Sequence, residues 1–372
     1  MPRSFSESRR KAAPTSIQAE AQSTASNSSR MKILFIGGSG VISRAATEQT
    51  IAAGHELWLL NRGKHRSVEG ARILVADMTD AANARAALRG HTWDVVVQWI
   101  AFAPDDIRRD LELFRDHTRQ YIFISSASIY QKPLGNSLIT ESMPRENPHW
   151  EYSRKKIACE LELEAAHQNS AFPCTIVRPS LTYGDDQIPL VLNAWQQPWT
   201  AIDRMRRGAP LIIPGDGTSW WTITHNSDFA RGLIGLFGNA AALGQAFHIT
   251  SDEALTWNRI FALTAEAAGV TAPKFMHIAS DFIIACVPTV EGTLLGDKAV
   301  SAVFDNSKLK RVVPGFAART PFATGIRRTI AWFEADPARQ QIDAELNRRW
   351  DKLIAGYERG LSHAKAEFTG NS

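Results

Sequence analysis

The sequence predicts an α/β protein, with a doubly wound parallel sheet and a smaller lobe toward the C-terminus. Short apolar runs alternate with helical stretches through the first half of the chain, and strands that alternate with helices form parallel sheets. The chain has 372 residues, of which 44% are hydrophobic and 22% charged. That length and balance suffice for one large core with an appended lobe.

Six apolar runs are predicted to be buried strands, and the first is Lys32–Ile36. The other five are 57–60, 73–76, 95–97, 121–124 and 174–177. Helical patterns separate them at 44–53, 80–89, 106–117 and 151–169, and the first pattern stops at Gly54, a residue type that commonly follows a helix. We therefore place the sheet domain at 31–180 and the lobe at 181–372, with some elements of the lobe returning to the sheet.

A glycine-rich turn, Gly37-Gly38-Ser39-Gly40, joins the first strand to the first helix. Glycines there let the backbone turn tightly and approach a pyrophosphate, which then lies at the helix N-terminus. Ser43 stands where the third glycine of such a motif would be, and we expect it to cap the helix. Because the turn directly follows a strand and opens a helix, it predicts a dinucleotide site and a Rossmann fold over 31–180. The predicted cofactor contacts here are Gly37, Ser39, Gly40, Val41 and Ile42.

The turn after the second strand bears on the choice between NAD and NADP. Asn61 and Arg62 stand where an NAD site usually has an acidic residue for the ribose, and an arginine can accommodate the 2′-phosphate of NADP. Lys64 and Arg66 add positive charge, so NADP is favoured over NAD; the alternative is a basic surface turn. The cofactor contacts predicted after the second and third strands are Asn61, Arg62, Asp77 and Met78, the last two at the adenine.

The net charge of +4 arises mainly in the first 30 residues, which hold five basic residues against two acidic ones. The remaining residues carry a formal charge of only +1, so nucleic acid is not an expected partner. The tail is rich in Ser, Ala and Arg and is predicted to be disordered. It resembles a transit peptide in composition, but we favour the view that the functional chain begins at Met31.

Neither a membrane span nor a metal site is predicted. No apolar run reaches the ~18 residues that a span needs. Cys159, Cys174 and Cys286 lie far apart without metal-ligand spacing, which favours reduced thiols and a cytoplasmic protein.

The segment Tyr152-Ser-Arg-Lys-Lys156 places a phenol and an amine one helical turn apart, on the same helix face. Taken alone, this spacing is more typical of a solvated face. Upstream, however, Ser125-Ser126-Ala127-Ser128-Ile129-Tyr130 follows the fifth strand. The glycine turn, this S-S-x-S-x-Y segment and Y-x-x-x-K, in that order, resemble the extended short-chain dehydrogenases/reductases of the NAD-dependent epimerase/dehydratase group, over residues 31–270. The segment V-F-D-N-S-K-L-K-R-V-V-P-G-F resembles a branch that includes the chloroplast stem-loop RNA-binding proteins.

The resemblance implies a role for each residue of the motif. Tyr152 would exchange a proton with the substrate, and Ser126 would hydrogen-bond the reacting oxygen. Lys156 would hold the nicotinamide ribose and favour the phenolate, lowering the pKa of Tyr152. Pro179 would lie beside the cofactor. The residues expected on the substrate side are Ser128, Tyr130, Trp221 and His225.

Two departures from the family pattern bear on the substrate. Ala127 and Ser128 replace the Asp-Glu pair of the 4,6-dehydratases, so the acid and base for eliminating water are missing. Trp221 stands where nucleotide-sugar epimerases carry an arginine that pairs with the substrate diphosphate, and an indole cannot replace a guanidinium there. We therefore expect a small-molecule substrate without a nucleotide diphosphate. Tryptophans cluster in the part expected to face substrate: Trp150, Trp195, Trp199, Trp220 and Trp221.

The expected function is NAD(P)-dependent oxidoreduction of a secondary alcohol or ketone. One alternative is an epimerase that retains its cofactor, and a second, of another class, is a non-catalytic RNA-binding protein. The intact Tyr152 and Lys156 and the near-neutral body argue against the latter. The amphipathic C-terminal segment either packs on the body or forms a homodimer interface, and the sequence leaves that choice open.

Overall fold

A computed structural model of the protein describes residues 30–63, 68–136 and 138–370. The predicted disordered tail lies outside the described residues apart from Arg30, and so do Lys64 and Arg66. Within the described part, no helix is long and apolar enough to cross a membrane.

The sheet is parallel throughout and has the strand order of a Rossmann fold. Seven strands, counted over the described ranges, lie in the order β12-β7-β5-β4-β1-β2-β3, and the order reverses between β1 and β4. The strands are β1 Lys32–Ile36, β2 Glu56–Asn61, β3 Arg72–Val75, β4 Val95–Gln98, β5 Tyr121–Ile124, β6 Leu138–Ile139, β7 Cys174–Pro179, β8 Leu181–Tyr183, β9 Leu211–Pro214, β10 Trp220–Trp221, β11 Ile223–His225, β12 Gln245–Ile249, β13 Leu255–Thr256, β14 Phe275–Ile278 and β15 Val303–Phe304.

Helices cover both faces of this sheet, which explains why its strands are apolar runs rather than alternating ones. One face packs against α1 and α6, and the opposite face against α2, α3 and α4. The helices are α1 Val41–Ala52, α2 Ala81–Leu88, α3 Pro104–Phe114, α4 Glu151–Ser170, α5 Thr200–Arg206, α6 Asn226–Gly235, α7 Trp257–Ala267, α8 Ser280–Cys286, α9 Glu291–Thr293, α10 Ser307–Val312, α11 Phe322–Glu334 and α12 Ala344–Thr369.

The first helix begins three residues earlier than predicted because of its local hydrogen bonds. Gly40 is the residue before α1, and its N–H donates to Ser43 Oγ at 2.9 Å. Ser43 thus acts from the third position of the helix rather than from its cap, and it is buried between helix and sheet.

The C-terminal lobe has its own apolar core, to which α5, α7, α8, α11 and the first half of α12 contribute. Three elements beyond residue 180 return to the sheet: β12 pairs with β7 at the sheet edge, α6 packs beside α1, and α10 packs on β12. A five-residue π-helical turn, Leu294–Lys298, follows α9 and faces the ends of the strands. Such turns occur frequently at functional sites.

Candidate active site

The glycine turn between β1 and α1 needs glycine at its first two positions. Gly37 and Gly38 have φ values of 98° and 101°, which side chains rarely adopt. A Cβ on Gly38 would also lie 3.0 Å from Leu59 Cδ2. Gly40 has an ordinary φ of −83°, and a Cβ there would meet only Ser43 Oγ, at 3.7 Å. Gly40 therefore leaves open space at the N-terminus of α1, where an anionic group can approach. Sequence analysis did not assign a role to Gly38.

A cavity of about 360 Å³ adjoins this turn at the carboxyl ends of β1 to β4. It brings together Gly37, Ser39, Asn61, Arg62, Asp77 and Met78, all of which were predicted to contact the cofactor. Ile100 and Phe102 line it as well, although 46% and 49% of their surfaces are exposed. Exposed apolar side chains in a concave wall are suited to cover a flat ring such as adenine.

Local hydrogen bonds and ion pairs fix the charged side chains at this cavity. Asp77 Oδ1 accepts from the N–H of Thr79 at 2.9 Å and from its hydroxyl at 2.7 Å. These hydrogen bonds, together with the nearby positive charge of Arg62, lower the pKa of Asp77. Arg109 also lines the cavity and pairs with Asp106 at 3.2 Å. Sequence reasoning missed Arg109, since no motif marks a residue inside α3.

A second cavity, here called the catalytic pocket, measures about 230 Å³ and lies on the other side of the glycine turn. Among its lining residues are six predicted to contact cofactor or substrate or to act in catalysis: Ile42, Ser126, Ser128, Tyr152, Pro179 and Trp221. Ser126 lies two residues beyond β5 and caps a short 3₁₀ turn, and Tyr152 is the second residue of α4. The fold thus brings the serine and the tyrosine to one pocket beside the first turn of α1.

Lys156 is buried behind Tyr152 and joins the loop after β4 to the end of β5. Its Nζ donates to the carbonyl oxygens of Ala101, at 2.8 Å, and Ile124, at 2.9 Å. The side chain is 1% exposed, and burial lowers its pKa to about 8. Its Nζ is 5.8 Å from the centre of the Tyr152 ring.

The prediction that the pKa of Tyr152 is lowered is wrong for this arrangement of the chain. Burial raises the pKa of the phenol because it removes the charged form from water, and the carboxylate of Asp297 adds to the rise. A hydrogen bond with Ser126 acts in the opposite direction. Lys156 is directed to two backbone carbonyls and does not offset the burial. Tyr152 is therefore held as a neutral phenol, whose hydroxyl can donate a hydrogen bond.

Three serine hydroxyls form a hydrogen-bonded chain at the pocket. The Oγ atoms of Ser126 and Ser128 are 2.9 Å apart, and those of Ser128 and Ser153 are 2.7 Å apart. This chain connects the turn after β5 to the start of α4 and restrains Ser126. Ser153 was not predicted, because a serine next to Tyr152 carries no signal of its own.

The π-helical turn supplies the side of the pocket that sequence analysis missed. Asp297 and Lys298 line the pocket and pair with each other at 2.7 Å. Asn147 fixes this turn in place, because its Nδ2 donates to the carbonyls of Ser128 and Gly296, each at 2.7 Å. Trp150 packs so closely on the turn that a Cβ on Gly296 would lie 2.9 Å from Trp150 Cβ.

Tyr130 and His225 do not line the pocket, contrary to the prediction that they contact substrate. Tyr130 is fully buried, where its hydroxyl pairs with His248 Nε2 and accepts from Arg178 at 3.0 Å. His225 precedes α6 and accepts from the N–H of Ser227 at 3.3 Å. Asp228, in the first turn of that helix, accepts from the N–H groups of Arg319 and Thr320.

Of the five tryptophans expected to face substrate, three line the pocket and two do not. Trp150, Trp195 and Trp221 line the catalytic pocket, whereas Trp199 is buried against Phe333. Trp220 lies outside the pocket and is 51% exposed.

Together, the two cavities fit a nicotinamide dinucleotide. They flank the glycine turn at the point where the strand order reverses, which is where Rossmann folds bind such ligands. The apolar wall at Ile100 suits adenine, and the open approach to Gly40 suits a pyrophosphate. The fold and these cavities therefore define an NAD-dependent enzyme of the extended short-chain dehydrogenase/reductase type.

Comparison with known proteins identifies the family. Residues 33–249, more than half of the chain, match the model of the NAD dependent epimerase/dehydratase family, and the protein belongs to that family. Chloroplast stem-loop binding protein of 41 kDa b from Arabidopsis thaliana is 25% identical over 267 residues, which are 68% of this chain and 67% of that protein. The resemblance inferred from the motifs is confirmed.

Two further relatives illustrate the range of this family. 2′-Dehydrokanamycin reductase from Streptomyces kanamyceticus is 24% identical over 246 residues, which are 64% of this chain and 67% of that protein. The structure of UDP-glucose 4-epimerase from Thermus thermophilus in complex with NAD has a TM-score of 0.64 and 20% identity, and the match covers 81% of this chain and 98% of that one. The structural likeness shows the shared fold.

Proposed function

We propose that this protein is an NAD(P)-dependent oxidoreductase that interconverts a secondary alcohol and a ketone, with Tyr152 as the proton donor or acceptor. The observation that carries the proposal is that Tyr152 and Ser126 share one pocket with Ile42, in the first turn of α1, and with Pro179. A hydroxyl and a neutral phenol at one point can together hold a carbonyl oxygen and protonate it.

Each side chain of the pocket has a separate role in the proposed reaction. When bound, the nicotinamide supplies or accepts the hydride. Ser126, held by the chain through Ser128 to Ser153, positions the reacting oxygen. Tyr152 gives its proton to that oxygen during reduction, and its raised pKa favours this direction over oxidation at neutral pH. Lys156 anchors the helix that carries Tyr152, because its Nζ donates to the carbonyls of Ala101 and Ile124.

NADP is the proposed cofactor in preference to NAD. Asn61 supplies no carboxylate for a ribose 2′-hydroxyl, and its Oδ1 accepts from the N–H of Gly63 at 2.8 Å. Arg62 lines the cavity beside it and is exposed, so its guanidinium can meet a 2′-phosphate.

A substrate without a nucleotide diphosphate fits the pocket better than a nucleotide sugar. Trp221 is 2% exposed and stacks on Trp257 at 5.7 Å, so no guanidinium stands at that position of the wall. Lys298, the cation lining this pocket, is already paired with Asp297. The relative 2′-dehydrokanamycin reductase is named for a reduction of this general kind.

An RNA-binding function is the weaker alternative. The chloroplast relative is named as a stem-loop binding protein. In this chain, however, the residues from Met31 onward carry a net charge of only +1, and the tyrosine, lysine and serine of the motif are all present. The free, mostly buried thiols suit the proposed cytoplasmic location.

The first experiment is to denature the purified protein and identify any nucleotide released. The emptied protein is then titrated with NADPH and NADH, and a panel of secondary alcohols and ketones is assayed at 340 nm. We expect little released nucleotide, tighter binding of NADPH and net turnover. Stoichiometric NAD released from the protein would point to an epimerase with a retained cofactor. Failure to bind either nucleotide would contradict both enzyme functions.

A further inference from the structure

A third cavity, here called the apolar chamber, adjoins the catalytic pocket and measures about 540 Å³. Trp150, Leu181, Trp195 and Lys298 line both cavities, so the two share a wall. The remaining lining is mostly aliphatic and comes from the loop before α5 and from α8, α9 and α12. It includes Ile188, Leu190, Ile283, Val290, Trp350 and Leu353.

The charged groups around the chamber do not favour an anionic ligand. Its rim carries Lys298 and Arg349 against the carboxylates of Asp343 and Glu345, and Asp297 of the adjoining pocket neutralises Lys298 at 2.7 Å. Carboxylates therefore outnumber cations across the two cavities. A diphosphate would meet net negative charge there.

The loop that walls the chamber holds two features that are costly without a ligand. Leu192 has a φ of 64°, a left-handed conformation that a bulky residue adopts rarely and that clusters at functional sites. Trp195 is 57% exposed although it lines both cavities. A large apolar ligand that passes between the two cavities would cover this indole.

The junction between the cavities offers hydrogen-bond donors to a neutral oxygen. Trp221 lines the catalytic pocket and is 2% exposed, and its Nε1 has no hydrogen-bond partner in the part of the chain that the structure describes. Lys298 Nζ lies 5.9 Å from the centres of both the Trp150 and the Trp221 rings. A buried donor without a partner calls for an acceptor, which a substrate carbonyl or hydroxyl can supply.

We propose that the apolar chamber is the distal part of the substrate site, and that the substrate is a secondary alcohol or ketone carrying a bulky apolar group, either a ring system or a chain. The reacting carbon lies at Tyr152, a neutral oxygen meets the donors at the junction, and the apolar group fills the chamber. This inference rests on the proposed function, since it extends the same site.

The chamber itself is tested by binding, without catalysis. The probe is N-phenyl-1-naphthylamine, an uncharged apolar fluorophore whose emission rises in an apolar cavity. Val287→Trp and Val290→Trp each place an indole on the chamber wall at half-buried positions, so that one variant serves if the other fails to fold. Leu161→Trp, at a 51% exposed site on α4, is the matched control. We expect each chamber variant to bind the probe at least tenfold more weakly, and the control to bind it unchanged. Unchanged binding in both folded chamber variants would overturn the proposal.

Turnover then separates this inference from the function on which it rests. Cyclohexanone and its 4-alkyl derivatives of increasing chain length are reduced with NADPH by the wild type and by Val290→Trp. We expect kcat/KM to rise about three- to fourfold per methylene in the wild type and to stay flat in the variant. A flat series in a wild type that reduces cyclohexanone would refute the chamber's role and leave the oxidoreductase standing. Probe binding that the variants abolish, without reduction of any ketone, would support the chamber as an apolar site and refute the oxidoreductase.

Discussion

The cavity on the cofactor side is lined by residues between 37 and 109, whereas the catalytic pocket draws on residues from 42 to 304. On the cofactor side, most lining residues follow a strand or open a helix of the parallel sheet, so short motifs mark their positions; Arg109, inside α3, is the exception. On the substrate side, the wall comes from α4, from β10 and from the π-helical turn, which lie far apart in the chain. The first site is thus local in sequence and the second is assembled by tertiary packing.

If the two sides are functionally separable, removal of the phenolic oxygen of Tyr152 should greatly slow turnover and leave cofactor binding unchanged. We expect Tyr152→Phe to lower kcat by about 10²–10⁴-fold, because it removes the proposed proton donor, while the Kd for NADPH changes less than twofold. Turnover at 340 nm and a fluorescence titration measure the two quantities.

Tyr357→Phe is the control for this change, since Tyr357, in α12, packs on Phe282 of α8, away from the pocket. It should leave both quantities unchanged. A Tyr152→Phe enzyme that keeps its full kcat would exclude Tyr152 as the proton donor.

Lys156 lies where the two sides meet, and its burial should appear as a pH dependence of stability. Its pKa is about 8 in the folded chain against an ordinary 10.5, so between these values the unfolded chain binds more protons. The free energy of unfolding should therefore rise with pH across this window, by about 3 kcal/mol in total, and this rise should be absent in Lys156→Met. Urea unfolding at pH 8, 9 and 10 measures the difference between the two proteins.

Lys155→Met provides the matched control, because Lys155 is exposed and pairs with Glu151 at 2.8 Å. This variant should retain the wild-type dependence on pH. Parallel pH profiles for the wild type and Lys156→Met would show that Lys156 is not the group responsible.

The sequence was sufficient for six of the seven strands of the sheet, because they are short apolar runs between helical stretches. It missed β12, whose apolar run is interrupted by the polar residues Gln245 and His248. It was also sufficient to bring Gly37, Asn61 and Asp77 together, since residues at the carboxyl ends of parallel strands meet at one edge of the sheet. It was insufficient for Asp297 and Lys298, which reach the pocket only because Asn147 ties their turn to the loop after β5.

The errors at Tyr130 and His225 have a related cause. Both residues lie in segments that contribute to the site, but their side chains form hydrogen bonds with other residues, which a sequence motif does not reveal. For Tyr130 the partner is His248 on β12, which is 118 residues away. The direction of the pKa of Tyr152 failed for the same reason, because burial is a property of the folded chain and outweighed the expected effect of Lys156.

A packing change confined to the substrate side also tests whether the catalytic pocket can be altered without affecting the cofactor-side cavity. A Cβ on Gly292 would lie 2.7 Å from Trp150 Cγ, so Gly292→Ala should displace the indole and the π-helical turn behind it. We expect a loss of about 1–3 kcal/mol in the free energy of unfolding and a higher KM for substrate, with NADPH affinity retained. Gly360→Ala is the control, because a Cβ there meets nothing within 4 Å and α12 should gain slightly in stability. Equal stability of the Gly292→Ala protein and the wild type would show that the turn yields to the added methyl group.

The corresponding change on the cofactor side is Arg62→Gln, for which we expect the smallest effect. Arg62 lines the cavity proposed to hold the adenosine, and an exposed guanidinium that meets a 2′-phosphate is worth about tenfold in affinity, near 1.4 kcal/mol. The Kd for NADPH should rise by this factor, while the Kd for NADH and the kcat at saturating cofactor stay constant. Added salt should reduce the difference in NADPH affinity between the wild type and the variant. Arg85→Gln, on the last turn of α2 and paired with Glu112, controls for a general loss of positive charge. If Arg62→Gln weakened NADH as much as NADPH, Arg62 would contact the part that the two cofactors share, and the preference for NADP would have no basis in this residue.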